Sequence, residues 1–78
     1  MSWKISGNRL VKIFECDSFS DITSRLSKLA TYADAQNHHP DFAVFDYKKI
    51  KFELWTHDKN TVTAADHQMA AFIDQLFS

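Results

Sequence analysis

The chain has 78 residues, 45% of them hydrophobic and 24% charged, with a formal net charge of −1. That length fits one domain spanning residues 1–78, and the composition is that of a globular protein rather than a disordered chain. The only closely spaced basic residues are Lys48, Lys49 and Lys51. This argues against direct nucleic-acid binding through phosphate contacts, which needs clustered Lys and Arg.

No apolar run is long enough to span a membrane, and the first residues lack the charged-then-apolar form of a signal peptide. The single cysteine, Cys16, has no internal partner and reads as a small buried hydrophobe in a reducing compartment. A soluble cytoplasmic protein is therefore expected. So small a core also favours self-association as a homodimer or homotetramer.

Gly7 and Pro40 are the only glycine and proline. Gly7-Asn8 separates two stretches rich in aromatic and β-branched residues, 3–6 and 9–15, and predicts a hairpin. Residues 19–37 follow a helical period, with Ile22, Leu26, Leu29 and Ala33 on one stripe and Ser18 or Ser20 as a start cap. Pro40 disfavours helical geometry at His39, so the helix should end near His38. Strands are expected at 42–47 and 49–56. The second alternates Ile50, Phe52 and Leu54 with Lys51, Glu53 and Trp55.

The last helix has Thr63 and Asp66 at capping-box spacing, followed by a stripe of Ala65, Met69, Phe72, Ile73 and Leu76. The order ββαββα predicts an α+β fold, a four-stranded antiparallel sheet with two helices packed on one face.

Three of the four histidines fall at element ends, where functional groups gather. His38 and His39 straddle a helix-to-extended transition, so their side chains must diverge. His57 ends the alternating strand. Imidazole titrates near neutrality and serves as acid or base at cell pH. A continued helix would put Asp34 and His38 four apart on one face, and an acid in the last turn is a small cost against the helix dipole that orienting His38 or His39, or meeting a ligand NH, would offset. Adjacent histidines rarely chelate one ion and no H-x-x-x-H or Cys–His spacing is present, so no metal is expected. Asp66 reads as a helix cap first. Tyr47 and Trp55 read as strand aromatics, and Trp55 shares a face with His57 if the strand continues. Pro40 fixes the backbone that aims the histidines. His67, among polar neighbours, reads as solvated.

The pattern Asp34-Ala35-Gln36-Asn37-His38-His39-Pro40, then Tyr47, Trp55-Thr56-His57 and Thr63-Ala64-Ala65-Asp66 resembles the motif of the pterin-4a-carbinolamine dehydratases. The similarity runs from about Trp3 to the C-terminal helix. It implies a sheet with helices on one face and the loss of water from a 4a-hydroxytetrahydropterin, giving a quinonoid dihydropterin without metal or organic cofactor. By matching positions it also implies that His38 and His57 are acid–base groups, that His39 binds or assists, and that Asp34 holds a histidine or hydrogen-bonds the pterin ring; Trp55, as a wall beside His57, and Pro40 complete the expected substrate-binding set. The alternative is an assembly factor or transcriptional cofactor on the same scaffold.

Three departures accompany the resemblance. Asp34 stands where the family usually has Glu. The loop 58–61 has no glycine, leaving Asn60 to supply a left-handed turn. The family's usual N-terminal helix, which would shield the core or serve assembly, has no counterpart in these residues.

Overall fold

The computed structural model describes residues 2–77. Its elements are β1 (Lys4–Ser6), β2 (Arg9–Glu15), α1 (Phe19–Gln36), β3 (Asp41–Phe45), β4 (Lys49–Leu54) and α2 (Ala64–Phe77). The strands form one antiparallel sheet in the order β1-β2-β4-β3. The ββαββα order and the sheet are as the sequence predicts.

Strand alternation decides which face the helices cover. Across β2 and β4, Leu10 faces Leu54, Lys12 faces Phe52 and Phe14 faces Ile50; across β4 and β3, Phe42 faces Phe52 and Val44 faces Ile50. Phe52 and Ile50 are fully buried there, together with Ile22 of α1 and Ile73 of α2. The first hairpin turns through Gly7-Asn8, with Gly7 at φ 62 as a two-residue turn of this kind requires.

Both helices start on side-chain caps. Ser18 Oγ accepts from the Asp21 N–H at 3.0 Å. The buried stripe of α2 centres on Asp66, Met69, Ala70, Ile73 and Phe77. It is rotated slightly from the expected one because Phe72 turns sideways, stacking on Tyr32 of α1 with ring centroids 3.9 Å apart. Arg25 of α1 bonds Asp21 at 2.9 Å and donates to the Leu76 carbonyl, one of the acceptors that a helix end leaves open.

Two residues on the helix side depart from simple patterning. Cys16 is buried, as expected, and burial foremost, with Asp21 adding, raises its thiol above the usual range. Lys12 is buried too, with its ammonium 2.7 Å from Asp74 Oδ1 and 4.7 Å from the centre of the Phe14 ring.

The strand ends also differ from expectation. The third strand is Asp41–Phe45 rather than 42–47, because Asp46 and Tyr47 both take φ 50 and turn the chain. The fourth stops at Leu54 rather than at 56, and Thr56 instead bridges to Thr61. Replacing Phe52, at the meeting point of three strands and α2, should test the core directly. Phe52→Ala is expected to destabilise the protein by about 3–5 kcal/mol, read as a lower urea midpoint with an unchanged slope.

Candidate active site

The end of α1 sets the histidine geometry. Asn37 adopts the left-handed conformation at φ 52, ψ 40, and its N–H donates to the Asp34 carbonyl at 3.2 Å. The His38 N–H donates to the Ala33 carbonyl at 3.1 Å, which completes a Schellman stop. The helix therefore ends at Gln36, short of His38, so of the two histidines expected as partners for Asp34 it is not His38 that pairs. Asp34 instead meets His39, with Oδ1 2.9 Å from Nε2, both side chains largely exposed.

His38 turns inward. Its Nε2 lies 2.7 Å from Asp66 Oδ1, and Asp66 is fully buried. The other carboxylate oxygen, Oδ2, accepts from the Thr63 N–H at 2.9 Å and from the Thr56 hydroxyl at 2.8 Å. Asp66 is thus the helix cap that its spacing predicts and also the anchor of a histidine 28 positions away. Burial pushes its carboxyl upward, but the bonds from His38, Thr63 and Thr56 outweigh that effect and leave it below the usual range. An ionised carboxylate only accepts. The network therefore assigns the proton to His38 Nε2 and leaves Nδ1 as the ring nitrogen available for exchange.

His57 follows the end of β4. The loop after it is held by the Thr56 N–H to Thr61 carbonyl bond at 2.9 Å and turns through Asn60 at φ 53, so asparagine does take the left-handed place expected of it. Asn8 Nδ2 donates to the Asn60 carbonyl at 2.7 Å, tying this loop to the first hairpin turn. Trp55 meets the His57 ring edge to face, with centroids 4.2 Å apart. The Trp55 indole N–H donates to Asp41 Oδ2 at 2.9 Å, and the same oxygen lies 3.7 Å from His57 Nε2.

Asn37, His38, His39, Thr56, His57 and Asp58 line a cleft of about 290 Å³, close to the small end of ligand pockets. The three expected histidines therefore converge. The other candidates separate from them. Trp55 sits beside His57 rather than lining the cleft, and Pro40 lines a neighbouring apolar groove with Leu26, Ala30 and Phe42. Tyr47 is exposed in the β3–β4 turn, so it lies about 20 Å of strand from His57 and takes no part in the cleft. His67 is exposed on α2. Among the described residues, no group of three or more His, Cys, Asp or Glu could hold a metal ion, and no helix is long and apolar enough to cross a membrane.

Asp41, Thr56 and Asp58 are site residues that sequence reasoning missed; the first stands beside His57 and the other two line the cleft. The available signal was strand register: the first residue of β3 pairs with Glu53, which brings it beside the side chains just past the end of β4.

A lowered Asp66 carboxyl links stability to acidity. Its contribution is fully present above the unfolded carboxyl value of about 3.9 and is lost as pH falls through the lower folded value. Asp66→Asn should lose about 2–4 kcal/mol near neutrality and show less further loss in acid than the wild-type protein, in urea melts at stepped pH. Equal acid sensitivity in the two proteins would show that the carboxylate is not linked in this way.

Comparison with known proteins agrees with this architecture. The family described as pterin 4 alpha carbinolamine dehydratase matches residues 1–76. A protein of Sulfurisphaera tokodaii named "Putative pterin-4-alpha-carbinolamine dehydratase" is 36% identical over 76 residues, covering 97% of this chain and 81% of its own. A relative of the same name from Prochlorococcus marinus is 35% identical over 77 residues, covering 99% and 80%. Among solved structures, the transcriptional coactivator/pterin dehydratase of Brucella melitensis superposes with a TM-score of 0.88 at 28% identity, covering 96% of this chain and 80% of that one. A pterin dehydratase-like protein identified as a RuBisCO assembly factor in the alpha-carboxysome shares the fold, with a TM-score of 0.81 at 23% identity over 100% and 92% of the two chains. The whole-chain match and the shared fold together show that the chain belongs to the pterin 4 alpha carbinolamine dehydratase family.

Proposed function

We propose that this protein removes water from a 4a-hydroxytetrahydropterin in the cytoplasm, giving a quinonoid dihydropterin and so recycling a pterin cofactor. The observation that carries the reading is the buried His38–Asp66 pair beside His57 in one cleft. The reaction breaks the C4a–O bond and removes the proton of the adjacent ring N–H, whose electron pair becomes the new C=N bond. It needs one proton given and one taken, with no redox change. His38 takes the ring proton at Nδ1, because ionised Asp66 stabilises the imidazolium that forms. His57 supplies the proton that lets the hydroxyl leave as water. His39, oriented by Asp34, binds or assists, and Pro40 fixes the backbone directly after it. No metal or organic cofactor enters this scheme.

His38→Ala and His57→Ala should each lower kcat/KM for this dehydration by about 100-fold or more; His57→Ala should keep the wild-type urea midpoint, whereas His38→Ala, which leaves the buried Asp66 Oδ1 without its partner, should lower it as well. Well-folded wild-type protein without turnover would sink the reading. In that case the rival, a binding or assembly role on the same scaffold, predicts a complex from cell extract that survives both histidine substitutions.

Self-association belongs to the same proposal. In the sheet order, β3 is an edge strand, and Phe42 and Phe45 on it are exposed. Beside it runs the groove of about 360 Å³ lined by Leu26, Ala30, Pro40 and Phe42. Sedimentation equilibrium should return a dimer or tetramer; a monomer at every concentration would remove this part.

A further inference from the structure

We propose that Asp41 is a positioning residue that locks Trp55 and His57 into one unit at the mouth of the cleft, which deepens the dehydratase reading and rests on it. His57 stands past the end of β4 with its side chain 58% exposed. Burial alone does not fix the rotamer of an imidazole this exposed. The surrounding contacts supply what the strand does not.

Asp41 opens β3, directly after Pro40, and is paired in register with Glu53 of β4. Its backbone is therefore set by the sheet ladder on one side and by the restricted proline on the other. From that position one oxygen, Oδ2, accepts the Trp55 indole N–H at 2.9 Å and lies 3.7 Å from His57 Nε2. The opposite side of the arrangement is also held. The Arg9 guanidinium lies 4.6 Å from the centre of the Trp55 ring and is itself ion-paired to Glu53 at 2.7 Å. Trp55 then meets His57 edge to face at 4.2 Å, with the rings 88° apart. An unbroken chain of contacts thus runs from the ladder to the imidazole.

The gap of 3.7 Å from Asp41 to His57 is longer than a hydrogen bond. Catalytic contacts are often loose before substrate binds and tighten in the complex. A small rotation of His57 toward Asp41 closes the gap and gives this histidine a carboxylate partner, as Asp66 does for His38. Asp41 reaches the pterin only through His57, so its loss should show in turnover rather than in substrate binding.

The test uses the full chain with Asp41→Asn, Asp41→Glu, Asp41→Ala and Trp55→Phe. Asparagine keeps an acceptor for the indole N–H and removes the charge; glutamate keeps the charge. Asp41→Asn is expected to lower kcat for pterin dehydration by about tenfold or more with KM within about twofold, and Asp41→Glu to recover part of that loss. In Asp41→Ala the Trp55 indole N–H resonance should move and exchange faster with water. Trp55→Phe should lower kcat by less than Asp41→Asn. Asp41→Asn with wild-type kcat, a change confined to KM, or an unmoved indole resonance in Asp41→Ala would each overturn the proposal while leaving the dehydratase reading intact. An inert wild-type protein would overturn the dehydratase reading itself, and this proposal with it.

Discussion

The Asp66 carboxylate is the point at which the separate parts of this small protein meet. It belongs to the first turn of α2, accepts the Thr63 N–H that starts that helix, takes the Thr56 hydroxyl just past β4 and holds the His38 ring just past α1. Burying an ionised carboxylate costs several kcal/mol unless its lone pairs are satisfied. Here both oxygens are bonded, and the helix N-terminus adds a favourable field. The result is a site whose central histidine is fixed by the same contacts that dock α2 onto the end of the sheet. Stability and site geometry are consequently hard to separate at this position. A change that frees His38 also uncaps α2.

Each of the three clustered histidines faces a carboxylate, but the pairs are graded by burial. His38 and Asp66 are almost enclosed at 2.7 Å, His39 and Asp34 are exposed at 2.9 Å, and His57 and Asp41 are exposed at 3.7 Å. Electrostatic coupling and rotamer restriction both weaken along that series, since solvent screens exposed pairs and leaves their side chains mobile. The gradient supports an assignment of roles in which the enclosed pair holds a defined tautomer and the open ones adapt to what enters the cleft. Such division follows from where each residue sits on the fold rather than from residue type.

Much of this was legible in the sequence because it is local. Alternation in 49–54 and the Gly7-Asn8 hairpin need only neighbouring residues to be read, and so does the Thr63–Asp66 cap. The convergence of the histidines was expected from the reversal of the chain and from what the family resemblance implies. What was not legible depends on distant partners or on backbone choices without a strong local signal. Asp66 looked like a cap because its second partner, His38, lies across the molecule. Lys12 interrupts an apolar face and is tolerated only because Asp74 and the Phe14 ring receive its ammonium. Tyr47 read as a strand aromatic, yet it takes positive φ, rare for a bulky residue, beside Asp46 to close a three-residue turn.

The end of α1 shows why the shorter acid at position 34 is compatible with the site. Pro40 sets only an outer limit for the helix; Asn37 ends it earlier by taking the left-handed conformation. That stop folds the chain back over the last turn, so His39 returns toward Asp34 instead of projecting away from it. Aspartate then reaches the ring at 2.9 Å with one methylene less than glutamate. The same contact answers the electrostatic cost of an acid at a helix C-terminus, where α1 has no basic residue in its last turn. The early stop, the short acid and the placement of the second histidine are therefore one arrangement.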